Sequence, residues 1–378
     1  MQVTRMNSER LKEAVELSDR IFLKQPEQPS MGQSFPYIFD PGISHSYGAY
    51  EENGKLASFM GFVPFKMKIK GAELNVFSIG SVCTDMDSRG KGLAGELLSK
   101  CIQHAEQSGA SLIFVSGARS LYTRIGCTAF GRASDHHMTP DAARSIQSTQ
   151  ESDIEIRELA AEDLFRLHGL LQSRSAVYDS SPAELGRLLE ASAFANVIRL
   201  EQKVLGAFRN GILAAAVIVG VPGPAMTPSR ASTMIEWAGD SQAAASLLAE
   251  SFSRYSLNEL VVSLPWQDRE LASILEKAGA AGENVRNTGT VYVVNGRELL
   301  NQLQPLMPEE TEGILQAEGD HGPYHYNQAD GQHIALDDEG LLSLLFDPES
   351  SFRQTGSNAD KPAIPLIPLP YTSGLQYI

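Results

Sequence analysis

Arg89, Gly90, Lys91, Gly92, Leu93 and Ala94 combine two cations with two glycines and a small side chain over six positions. Before them stands an apolar run, residues 74–84, rich in β-branched and aromatic residues and suited to a largely buried strand. After them Leu93, Leu97, Leu98, Cys101, Ile102 and Ala105 recur at helical spacing until Ser108-Gly109 stops the pattern. The order is strand, Arg/Gly-rich turn, helix. A helix start exposes unpaired backbone N–H groups and the positive end of the helix dipole, and glycines let an anion approach them closely. Arg89 and Lys91 would add charge where a diphosphate lies, so the stretch reads as a phosphate cradle. It has neither the Gly-Lys-Ser/Thr ending of a P-loop nor the G-x-G-x-x-G of a dinucleotide site.

The arrangement R-x-x-G-x-A, after a strand ending Val82-Cys83-Thr84, resembles the coenzyme A pyrophosphate loop of the GNAT-type N-acetyltransferase superfamily. Residues 111–116 read as the next strand, and Tyr122-Thr123-Arg124-Ile125-Gly126 is similar to that superfamily's Tyr-x-x-x-Gly signature. The resemblance implies an α/β (α+β) fold, a mixed and mostly antiparallel sheet flanked by helices, and acetyl-CoA as co-substrate without a metal. It places the thioester along Val82, Cys83 and Thr84, the pyrophosphate on Arg89, Gly90, Lys91, Gly92, Leu93 and Ala94, and further contacts at Ser116 and Gly117, where the sheet splays in this superfamily. Tyr122 then stands as the proton donor to the departing thiolate, the alternative being an aromatic that only packs.

Around these residues the chain supplies a helical stripe at residues 8–22 and a loop marked by Pro26, Pro29 and Pro36, with Phe35, Tyr37 and Phe39 either as walls of an acceptor pocket or as packing. A hairpin about Asn53-Gly54 leads into the central strand. At 378 residues the chain exceeds one ordinary domain. Its net charge of −15 is graded, +1 over residues 1–150, −6 over 151–300 and −10 over 301–378, which suggests three regions and argues against nucleic acid as a partner. No apolar run is long enough for a membrane span and the first residues lack the core of a signal peptide, so a cytoplasmic address is expected. Cys83, Cys101 and Cys127 stand in apolar segments at no metal-ligand spacing and read as buried free thiols.

Residues 141–153 turn polar and read as a connection. Beyond it, Gly206-Ala207-Phe208-Arg209-Asn210-Gly211 echoes Gly48-Ala49-Tyr50-Glu51-Glu52-Asn53-Gly54, and the order strand 233–237, helix 242–255, strand 260–264, helix 270–278, strand 290–294 repeats that of the first half. The copy has no cradle: Ala238-Gly239-Asp240-Ser241-Gln242-Ala243 holds one glycine, no cation and a carboxylate. The expected domains are therefore 1–150, catalytic; 151–295, a degenerate copy without a pyrophosphate loop; and 296–378, a small acidic region with helices at 298–303 and 339–346, a loop at 322–327 and an apolar, proline-spaced tail.

Two tandem acetyltransferase-like domains followed by a short third region resemble the enhanced intracellular survival family of acetyltransferases. That resemblance implies a sterol-carrier-like third region, for which the 83 residues from Gly296 are short, and a homo-oligomer. The acceptor it implies is a small amine of aminoglycoside or polyamine type. In that family the C-terminal carboxylate is the base that deprotonates the amine, here the α-carboxylate of Ile378, with a merely packed terminus as the alternative and His45 and Glu73 as weaker candidates. Transfer to a protein lysine or N-terminus, and a non-catalytic acyl-CoA sensor, are the competing functions. His321, His325 and His333, near Asp320 and Asp330, match no compact metal motif.

Overall fold

The computed structural model describes residues 2–149, 153–311, 313–328, 331–353 and 364–378. Pro362 and Ala363 of the proline-spaced run, and Asp330, lie outside the described residues.

The helical stripe at residues 8–22 is the helix Ser8–Phe22, started by Asn7, whose side chain accepts the Arg10 amide, with Leu11, Ala14, Leu17 and Ser18 turned inward. The proline-marked loop after it contains two single-turn helices, Met31–Ser34 and Pro36–Phe39; Ser30 and Gln33 close a reciprocal cap at the first. The first sheet runs Gln2–Arg5, Tyr47–Tyr50, Leu56–Ile69, Ala72–Thr84, Leu112–Val115, Thr290–Val293, with Ala176–Tyr178 paired to the far end of Leu56–Ile69. All its neighbours are antiparallel except Ala72–Thr84 and Leu112–Val115. The second sheet repeats the order: Ile154–Glu158, Glu201–Arg209, Ile212–Val221, Ser232–Gly239, Leu260–Pro265, again with the fourth and fifth strands parallel, then Ala133–Met138 and Gly282–Val285.

The two sheets exchange a strand. Residues 290–293 follow the strands Ile154–Glu158 to Leu260–Pro265 of the second sheet in sequence, yet Thr290–Val293 pairs with Leu112–Val115 in the first sheet, Thr290 opposite Val115 and Val293 opposite Leu112. Reciprocally, Ala133–Met138 pairs with Leu260–Pro265 in the second, Met138 opposite Leu260. The polar stretch after it is not irregular: Pro140–Gln147 is a helix capped by Thr139, and its Ala142, Ala143 and Ile146 join the core of the second sheet.

In the third region the segment read as loop at 322–327 contains the strand Tyr324–Asn327, between Leu315–Ala317 and His333–Leu336. Tyr324 is wholly buried, and its hydroxyl donates to Asp338 at 2.5 Å. With the helices Gly296–Leu303 and Asp338–Phe346 this small sheet covers one face of the first sheet, Leu299, Leu341 and Phe346 sharing a core with Leu74, Val76 and Phe114. The opposite face is packed by the helix Leu93–Gln107 through Leu97, Leu98 and Cys101. No helix among the described residues is long and apolar enough to cross a membrane.

Candidate active site

The Arg/Gly-rich turn lies between the strand Ala72–Thr84 and the helix Leu93–Gln107. Gly92 caps Leu93–Gln107 in the left-handed region (φ +79°) and supplies no side chain to the first amides, which leaves them for a ligand. Gly90 has φ +78°, and a methyl on either glycine would meet nothing within 4 Å, so the turn is open as well as left-handed. Arg89 Nε lies 3.5 Å from the Thr84 carbonyl, while Lys91 Nζ reaches Ser88 Oγ at 3.5 Å and Glu51 at 3.7 Å. Open amides, a helix of fifteen residues behind them and two exposed cations fit a diphosphate. At the matching place in the second sheet, Asp240 caps Ser241–Tyr255 with its own carboxylate, which accepts the Ala243 amide at 2.8 Å. That N-terminus is closed by the chain itself.

Beyond the cradle the sheet opens. The parallel pairing of Ala72–Thr84 with Leu112–Val115 ends at Ile79 opposite Val115, and the strands part, Gly80, Ser81 and Val82 on one side and Ser116 and Gly117 on the other. On its other flank the central strand carries a bulge, because Phe59 pairs Cys83 but Gly61 pairs Gly80. Ser81 takes φ +49° there, and its hydroxyl is buried with no hydrogen-bond partner among the described residues. The exchanged strand fixes the far lip: Thr290 Oγ1 donates to the Gly117 carbonyl at 2.9 Å.

The parted strands enclose a cavity of about 310 Å³. Val82, Ser116, Gly117, Tyr122 and Ile378 all line it, so five of the residues singled out in the sequence meet at one place. Tyr122 lies on the short helix Ser120–Thr123, and its carbonyl accepts the amides of Ile125 and Cys127 across the left-handed Gly126. That turn gives the Tyr-x-x-x-Gly spacing its physical content: the glycine folds the chain back on the tyrosine's own carbonyl. Burial pushes the Tyr122 phenol up to about 12, against an opposing pull from Arg119. Cys83 and Thr84 lie outside the cavity. Cys83 faces the Ser8–Phe22 helix, its Sγ 3.6 Å from Ser18 Oγ, and burial raises its thiol to about 11; the Thr84 hydroxyl is 2.8 Å from that of Ser58.

The tail closes the opposite wall. Thr372 donates to the Thr288 carbonyl, Gly374 abuts the Glu236 carboxylate, and Tyr377 packs between Phe35 and Phe194 with ring centroids 6.3 and 5.1 Å away. Ile378 then lies directly on Gly80, where a methyl would overlap its side chain and come within 2.7 Å of its carbonyl oxygen. His45 and Glu73 are elsewhere: His45 Nδ1 faces His104 Nε2 at 2.9 Å, with burial lowering its pKa to about 4, and Glu73 is paired with Lys66 on the surface. Phe35 lines the cavity, whereas Tyr37 packs on Phe65 and Phe39 stacks on Phe59. Sequence reading missed Gly80, Ser81, Arg119 and the wall residues Asn196 and Val197; a glycine inside an otherwise apolar strand was the one available signal. Cys83, Cys101 and Cys127 are buried and free, and among the described residues no three His, Cys, Asp or Glu are grouped to hold a metal ion.

Residues 2–130 match the model of the acetyltransferase (GNAT) domain. No curated protein matches the sequence. Among solved structures the chain is similar to a probable N-acyltransferase of unknown function from Enterococcus faecalis (TM-score 0.64, 14% identity, 90% of this chain and 85% of that one) and to a GCN5-related N-acetyltransferase from Anabaena variabilis (0.64, 13%, 91% and 89%). It is also similar to Eis1 from Mycobacterium abscessus (0.55, 11%, 80% and 76%). At these identities the likeness is one of fold, and it extends over both sheets.

Proposed function

We propose that this chain, an acyltransferase whose first 130 residues match a GNAT acetyltransferase domain, moves an acetyl group from acetyl-CoA directly to a primary amine of a small acceptor, with Tyr122 as acid and the Ile378 carboxylate as base. The supporting observation is the meeting of Tyr122 and the end of the tail on one cavity at the splay. In this reading Arg89, Lys91 and the amides of residues 90–94 hold the pyrophosphate, and the backbone of Val82, Cys83 and Thr84 pairs with the pantetheine arm. The strand-end N–H groups stabilise the carbonyl oxygen as negative charge develops on it. The Ile378 carboxylate takes a proton from the ammonium, the free amine attacks the thioester carbon, the C–S bond breaks, and the Tyr122 phenol gives its proton to the thiolate; the surplus proton on the acylated nitrogen passes to the tyrosinate, which restores the phenol, and the Ile378 carboxyl returns its proton to solvent. A phenol held at about 12 stays protonated until that moment.

The second sheet, with its capped helix start, is on this reading a non-catalytic copy that lends a strand and a wall, and the third region braces the first sheet and delivers the tail. Cytoplasmic residence and a homo-oligomer belong to the same proposal; a monomeric mass by light scattering would contradict the latter. The test of the chemistry is release of free coenzyme A from acetyl-CoA with a panel of amines. Turnover that depends on both Tyr122 and an intact tail is the expected result. Binding of acetyl-CoA without acetylation of any amine would overturn it.

A further inference from the structure

The cavity wall has a chemical bias that the proposed function leaves open. Besides Tyr122 it is lined by Phe22, Leu23, Met31, Phe35 and Tyr377, with Val197, 43% exposed, at its rim. Among the described residues no aspartate, glutamate or lysine side chain lines it, and Arg119 is the one charged side chain that does. Asp19, the carboxylate bound to a wall residue, accepts the Met31 amide at 2.6 Å and is not part of the lining. The polar side chain of Asn196 is spent on Ser34 Oγ and the Ala191 carbonyl. The tail beside the cavity feels a further cation, since Arg230 acts on the Tyr377 hydroxyl.

A polyamine or aminoglycoside would bring several ammonium groups into this space. One of them meets the Ile378 carboxylate; each of the others would be stripped of water with no carboxylate in reach and Arg119 opposing it. The volume points the same way. About 310 Å³ lies at the low end of ligand clefts, and it must also take the reactive end of the coenzyme beside Ser116 and Tyr122. An alkyl or aryl body fits the rings and the Leu23, Met31 and Val197 surfaces by burial of apolar area.

We infer that the acceptor site selects a single amine carried on a compact apolar body, an arylalkyl or alkyl monoamine, and disfavours polycations; this rests on the reading of the cavity as the acceptor side of the transfer site. Two measurements keep the inference separate from that reading. In calorimetric titration of the full chain saturated with coenzyme A, 2-phenylethylamine should bind at least tenfold tighter than spermidine, and Val197→Glu, which sets a carboxylate on the rim, should narrow that ratio at least tenfold. In turnover with acetyl-CoA the same ranking should appear in kcat/KM. Spermidine binding as tightly as 2-phenylethylamine, or better, overturns the selectivity even if both are acetylated. Tighter binding of 2-phenylethylamine with no acetylation of either amine sustains the selectivity and sinks the transfer reading instead.

Discussion

Gly80 is the residue on which the proposed chemistry turns, because its missing side chain is what lets the tail reach the splay. A methyl there would occupy the place of the Ile378 side chain and carboxyl carbon, and a contact of that kind forces the backbone of the tail to move. Since a displacement of about 1 Å at a reacting group can cost on the order of a hundredfold in rate, Gly80→Ala should lower kcat by about that factor while acetyl-CoA still binds, read by steady-state kinetics and a coenzyme titration. Loss of coenzyme binding in parallel would instead mean that the strand itself had collapsed. Tyr122→Phe removes only a hydroxyl, and loss of a general acid is expected to cost about a hundredfold in kcat. Its pH behaviour follows from the direction of its shift. A phenol raised from its ordinary value of about 10 to about 12 by burial keeps its proton below that range and loses it only as pH climbs through about 12. kcat should therefore show no tyrosine-dependent fall up to pH 10; an alkaline limb below that point which disappears in Tyr122→Phe would refute the assignment. The placing of Tyr122 before a glycine turn and the Gly-rich start of Leu93–Gln107 were legible because both patterns are local in sequence. Ser81 was not, since a bulge depends on which residues of the neighbouring strand it faces.

The tail is the element that links the three regions, and it is held by a buried charge cluster between the second sheet and the rest. Arg174 bonds the Glu236 carboxylate and, at 2.8 Å, that of Asp268, which also accepts the Trp237 indole N–H at 2.8 Å. Burial raises both carboxyl groups while Arg174 pulls against it; one guanidinium serves two acids. The free face of Glu236 is taken by the tail: Gly374 lies against it and the Leu375 amide donates to it. Gly374 thus has no room for a side chain. Gly374→Ala should push the last four residues off Glu236 and reduce kcat at least tenfold with the KM for acetyl-CoA unchanged. Glu236→Asp, whose carboxylate is one carbon further back, should restore part of the rate in the double variant. Additive losses in that double variant would show that the tail does not take its position from Glu236. In the sequence the tail could be seen to pack because it is apolar, and the Ser8–Phe22 and Leu93–Gln107 helices could be bounded from caps and periodicity. The strands of the third region could not. Leu315–Ala317, Tyr324–Asn327 and His333–Leu336 have three or four residues each, too few for an alternating pattern to stand out among glycines and acids.

At the scale of the whole molecule, the reciprocal strand exchange makes the two sheets interdependent. Reading elements in order gives the same list whether the strands 133–138 and 290–293 pair with the sheet before them or cross over, so composition and periodicity carry no trace of the exchange; only long-range pairing decides it. The consequence is energetic. Val291 and Val293, each 1% exposed, sit in the first sheet although they follow the second in sequence. Burying two such side chains is worth about 3–6 kcal/mol, comparable with the whole net stability of about 5–15 kcal/mol typical of a folded protein. Removing Thr290–Val293 also strips the backbone partners from one edge of Leu112–Val115. A fragment ending at residue 150 would lose these contacts and would carry Ala133–Met138 without its sheet. Scanning calorimetry of the full chain should accordingly give one transition with a van't Hoff enthalpy close to the calorimetric one, and the fragment of residues 1–150 should show no cooperative unfolding. Two resolved transitions in the full chain, or a fragment that melts cooperatively and still binds acetyl-CoA, would mean that the first sheet closes without its borrowed strand and that the lip held by Thr290 at Gly117 is dispensable to the cavity.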